Sequence, residues 1–131
     1  MTDHYHAVVW IDHHQARVLH FNLSDSDTEV IHPHNPKKNI HSHAFPRGSN
    51  HGAEDQNYLH EVAEAIANAK SVLIAGPSHE KHELVKHIEH HDPSLMKIIA
   101  GVEALDHPTD KELLAHARKF FTAYDRMNVQ K

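Results

Sequence analysis

The residue pattern changes period near Glu54, and that change decides the architecture. Before it, Tyr5, Ala7, Val9 and Ile11 alternate with His6, Val8 and Trp10, the period of two expected of a strand. Asp12, His13, His14 and Gln15 predict a turn, and residues 16–21 run back as the second arm of a hairpin. Residues 22–27 read as polar loop and 28–32 as a third strand, whose end Pro33 and Pro36 break. Residues 33–53 hold Pro, Asn, Ser and Gly with little apolar content, and predict a long loop with a short strand at 40–44.

From Glu54 the period is 3.6. Leu59, Val62, Ala63 and Ile66 form one apolar helix face over 54–69. Residues 71–75 predict a buried strand closed by Gly76 and Pro77, and Ser78 is a suitable N-cap for a helix over 79–91 with Leu84, Val85 and Ile88 inward. Asp92 and Pro93 stop that helix, a short helical turn fits 95–98, and 99–105 reads as another strand. Thr109 and Glu112 have capping-box spacing, ahead of a last helix that buries Leu113, Leu114, Ala117, Phe120, Phe121 and Tyr124. The order β-β-β, loop, α-β-α-β-α predicts an α/β fold. An antiparallel meander followed by β-α-β-α gives a mixed five-stranded sheet with helices on both faces, an RNase H-like arrangement.

The 131 residues suffice for one domain with a real core. Cysteine is absent, which removes disulfides, thiolate nucleophiles and cysteine zinc sites. No apolar run approaches a membrane span, and the start of the chain has neither the basic nor the apolar part of a secretory signal, so the cytoplasm is the expected compartment. Histidine is the anomaly: 18 residues, against 13 Lys+Arg and 18 Asp+Glu. The net charge is −5 with histidine neutral, and with imidazole pKa values of about 6.5 it swings strongly as pH falls. Residues 30–53 alone carry Lys37, Lys38 and Arg47 with no acid, plus five histidines. This is where an anionic partner is expected to touch, with His51 alongside the fixed charges.

Two histidine groups have ligand-like spacing. His32 and His34 precede His41 and His43; residues two apart on a strand share a side, so pairing of the two segments converges four imidazoles. Neutral imidazole suits Zn, Ni or Cu, while solvated loop histidines and anion contact by protonated ones stay open as readings. Glu83, His87 and His91, with His79 one turn before, share a helix face as a second metal set or as an ordinary exposed face. His79-Glu80-Lys81-His82 lacks the His-Glu-x-x-His spacing of zinc proteases. Gly76-Pro77-Ser78 reads as a tight turn rather than a P-loop. Asp12 and Asp106 end strands, as nuclease carboxylates do, but two-metal cleavage needs more acids than these two.

Three strings resemble a known family. Tyr58-Leu59-His60-Glu61-Val62-Ala63-Glu64, then Val72-Leu73-Ile74-Ala75-Gly76-Pro77 and Lys81-His82-Glu83-Leu84, look like the middle domain of archaeal and eukaryotic peptide-chain release factors and of Pelota. Ala7-Val8-Val9-Trp10-Ile11-Asp12 and Ala16-Arg17-Val18-Leu19 fit the start of that domain, and small bacterial translational-machinery proteins share this look. The resemblance implies a translation-associated factor that meets the ribosome or tRNA. Release factors carry Gly-Gly-Gln before the first helix, where this chain has Arg47-Gly48-Ser49-Asn50-His51-Gly52. Peptidyl-tRNA hydrolysis is therefore not expected, and no cofactor is required. A histidine-rich metal-binding protein on the same scaffold is the alternative, and an RNase H-like nuclease a third reading.

Overall fold

The structure is a computed structural model that describes residues 6–33 and 47–128, the side chains of 47–55 excepted. Strands β1 (His6–Ile11), β2 (Ala16–Phe21) and β3 (Ser26–Ile31) come first, then helix α1 (Arg47–Ile66). Strand β4 (Ser71–Gly76), helix α2 (Glu80–His91), a 3-10 turn (Pro93–Ile98), strand β5 (Ile99–Ala104) and helix α3 (Asp110–Asn128) follow. The sheet order is β3-β2-β1-β4-β5. β2 pairs antiparallel with both β1 and β3, while β1–β4 and β4–β5 are parallel. This is the expected mixed α/β sheet.

β1 is central and covered on both faces, so its alternating residues serve two cores. Ala7, Val9 and Ile11 meet Leu59, Val62 and Ile66 of α1 and Leu84 and Ile88 of α2. Val8 and Trp10 meet Leu113, Ala117 and Phe121 of α3 on the other face. β3 is an edge strand, and Ser26, Asp27, Thr28, Glu29 and Val30 are exposed. Its two acids leave that edge a poor template for pairing with another strand.

Several boundaries differ from the sequence reading. The expected loop at 33–53 ends sooner, because α1 begins at Arg47. Its first turns hold Gly48, Ser49, Asn50 and Gly52, which carry no apolar periodicity to announce a helix. α1 also stops at Ile66, where the Ala69 amide bonds the Ile66 carbonyl. β3 begins at Ser26, since ladder pairing with Phe21 reaches further than its apolar residues do. Ser78 does not cap α2: His79 takes the N-cap position in helical geometry without a side-chain cap bond. The His79 carbonyl instead accepts from the amides of His82 and Glu83. The Thr109–Glu112 capping box forms in both directions, at 3.1 and 2.9 Å. The expected short strand at 40–44 lies outside the described residues.

Candidate functional site

Strand C-terminal ends are where open α/β sheets commonly place chemistry. Here that edge is tied together. Trp10, fully buried, donates its Nε1–H to the carbonyls of Leu105 and Asp106 at 3.2 and 3.0 Å. The Arg17 guanidinium lies 4.7 Å over the indole and bonds the Asp110 carboxylate and the Pro108 carbonyl. Asp12 Oδ1 accepts from the amides of His14 and Gln15, so this carboxylate closes the β1–β2 turn. Asp106 is almost fully exposed beside His107, and Glu80 is buried against His13 at 3.0 Å. Asp12 and Asp106 thus stand in a structural turn and on the open surface. Among the described residues, no group of three or more His, Asp or Glu could hold a metal ion.

The second locus is the seam between α1 and α2. His87, 6% exposed, has Nδ1 2.6 Å from Gln56 Oε1 of α1. The amide oxygen only accepts, so the proton sits on Nδ1, and buried Nε2 is left without a hydrogen-bond partner. The His91 ring lies 4.4 Å away, tilted by 30°, and the His60 ring of α1 lies 6.1 Å away edge-on. Burial first, then the neighbouring His91 and His60, hold the His87 pKa below its usual value, with Asp92 opposing. Glu83 forms no hydrogen bond or ion pair with His87 or His91 among the described residues. The expected face at Glu83, His87 and His91 is therefore an imidazole cluster completed by Gln56 and His60. Sequence spacing could not find that pairing, because Gln56 is 31 residues from His87.

His32 is exposed at the end of β3. His34, His41, His43, Lys37 and Lys38 lie outside the described residues. Arg47 and His51 fall in the first turns of α1, whose side chains are likewise outside them. Among the described residues, no helix is long and apolar enough to cross a membrane.

No protein-family description matches the chain, and no curated protein matches it in sequence. Solved structures do match in fold. Pelota of Archaeoglobus fulgidus superposes with a TM-score of 0.60 at 12% identity, over 87% of this chain and 30% of that one. An archaeal translation termination factor gives 0.55 at 14% identity, over 95% and 42%. Dom34 of S. cerevisiae, a translation termination-like factor involved in RNA quality control pathways, gives 0.57 at 12%, over 95% and 37%. The chain thus has a release-factor-like fold, and it spans less than half the length of each of these proteins.

Proposed function

We propose that this protein is a non-catalytic, translation-associated factor that binds the ribosome or tRNA, with the cytoplasm as its compartment. The observation that carries this reading is the fold shared with three translation factors over 87–95% of the chain. A fold alone does not fix an activity, so the sequence must supply the rest. It supplies no Gly-Gly-Gln, which argues for binding without peptide release. It supplies a basic stretch, with Lys37, Lys38 and Arg47 as fixed phosphate contacts and His51 and its neighbours as charges that appear on acidification.

Fluorescence anisotropy with tRNA and with an unrelated RNA tests the assignment. Affinity should rise from about pH 7.5 to about pH 6 as imidazoles gain protons. It should fall with salt, since each neutralised phosphate releases about one counterion. Changing Lys37, Lys38 and Arg47 together to Ser should reduce both affinity and salt slope. Absence of binding at the lower pH and low salt, or a triple variant that binds like the parent, contradicts contact through this stretch.

A further inference from the structure

Helix α3 turns one side to the sheet and leaves the other in solvent. Leu113, Ala117 and Phe121 are buried, while Lys111, Ala115, Lys119, Thr122 and Arg126 are exposed. These five follow one another at spacings of four, four, three and four residues, so they line one outer ridge. Its three charges, spread over about 22 Å, are all positive. No acid stands three or four residues from Lys111, Lys119 or Arg126, the positions from which a solvated helix pairs its charges. In α2, by contrast, Lys86 has Glu83 and Glu89 three residues to either side. The three acids of α3 are engaged elsewhere. Asp110 meets Arg17 at 2.7 Å, Glu112 accepts the Thr109 amide at 2.9 Å, and Asp125 stands 3.3 Å from His6 Nε2. Arg118, on the flank of the ridge, donates to the Asn22 and Asp25 carbonyls, which hold it without neutralising it. Among the described residues, none of Lys111, Arg118, Lys119 and Arg126 has an ion-pair partner.

We propose that the outer ridge of α3 is an RNA-binding surface, with Lys111, Lys119 and Arg126 on backbone phosphates and Arg118 at their side. The proposal rests on the translation reading above and gives it a second contact, separate in the chain from residues 30–53. The occupant follows from charge and from what the ridge lacks. In a chain of net charge −5, a row of unpaired cations is complementary to a polyanion. A protein partner calls for an apolar centre with charged residues at the rim. Here the centre of the ridge is Lys119, and Ala115 and Thr122 are all that stands between the cations. Phosphate contacts need no apolar centre, because interfaces with nucleic acid are polar, positively charged and wet. The two small residues also let a backbone come close. Contacts to phosphates carry no sequence information, which suits a factor that meets many RNAs. Lysine and arginine keep their charge between about pH 6 and about pH 7.5, so the ridge contributes equally across that range.

Fluorescence anisotropy of the whole chain with two duplex RNAs of unrelated sequence, each at several salt concentrations, tests the ridge. Changing Lys111, Lys119 and Arg126 together to Gln should weaken binding to both RNAs by about tenfold or more at low salt. It should also reduce the slope of log affinity against log salt by about 2 to 3, for three phosphates lost. The loss should be the same at about pH 6 and about pH 7.5, because these charges do not titrate there. All three positions are exposed, so the variant should unfold at the parent's temperature. Added to the Lys37, Lys38 and Arg47 changes, the Gln changes should reduce the slope by the same amount, so the two surfaces are read apart. Poly-glutamate should bind the parent at least tenfold more weakly than RNA. A folded ridge variant that binds both RNAs like the parent overturns the proposal. So does poly-glutamate binding as tightly as RNA, which would mark a surface for acidic proteins, and so does a loss seen only at the lower pH. A parent that binds neither RNA contradicts this surface and the translation reading together.

Discussion

His87 and Gln56, from different helices, meet at 2.6 Å, and that contact leaves the other imidazole nitrogen buried and bare. Protonating Nε2 puts a charge where no acceptor stands, beside the rings of His91 and His60. The folded state therefore favours neutral His87, and its pKa is lowered by burial first and by those neighbours next.

The consequence for stability has a definite sign. Between the depressed folded value and about 6.5, the unfolded chain binds more protons than the folded one. The contribution of neutral His87 is fully present above about pH 6.5 and is lost as pH falls through that window. His6, also lowered by burial although Asp125 opposes, adds a term of the same sign. The urea midpoint should drop between about pH 7.5 and about pH 5.5, and His87→Leu should drop distinctly less. An equal drop in that variant would contradict the assignment.

Gly76 is required by the β1–β4 pairing rather than by a left-handed turn, since no residue has a positive φ among those described. A Cβ there would run into the Ile11 carbonyl oxygen, a backbone atom that cannot swing aside. Gly76→Ala should destabilise the fold by about 2 kcal/mol, in the range of overpacked cores, and should disturb the Leu105 amide bond to the Gly76 carbonyl. Thermal unfolding measures the first, and Trp10 fluorescence, from the single tryptophan, reports the second. An unchanged midpoint would show that β1 and β4 can part without cost.

The paired histidines His32, His34, His41 and His43 carry the metal expectation, and zinc, nickel and copper titrations test it. Uptake should weaken as pH falls through about 6.5, because protons compete for imidazole. Changing all four to Gln should remove one tight equivalent and leave only weak surface uptake. Unchanged stoichiometry and affinity in that variant would exclude these four as the site.

Local patterns were legible in the sequence and long-range contacts were not. The Thr109–Glu112 box spans three residues, and β1 and β4 announce themselves by β-branched runs, so each was readable from neighbours alone. α1 was readable only from Glu54 onward, ahead of the apolar spacing that begins at Leu59, although the helix starts at Arg47. Contacts that depend on how elements stack left no mark on the chain. His87 finds Gln56 across two helices, Arg17 finds Asp110 across 93 residues, and His6 finds Asp125 across nearly the whole length. Spacing placed His87 on one helix face with Glu83 and His91 but could not pair it with Gln56, and it left His6 unmarked among 18 histidines.

A translation-associated factor of the kind proposed above binds ribosomes. Sucrose-cushion sedimentation of ribosomes from native lysate, at low and at high salt, tests it most directly. The protein should pellet with ribosomes at low salt and be released as salt rises, as expected of contacts to phosphates. Peptide release from ribosome-bound peptidyl-tRNA should stay at buffer level in the same preparation. A protein that remains in the supernatant at both salt concentrations, and that binds no tRNA by anisotropy, has no such role.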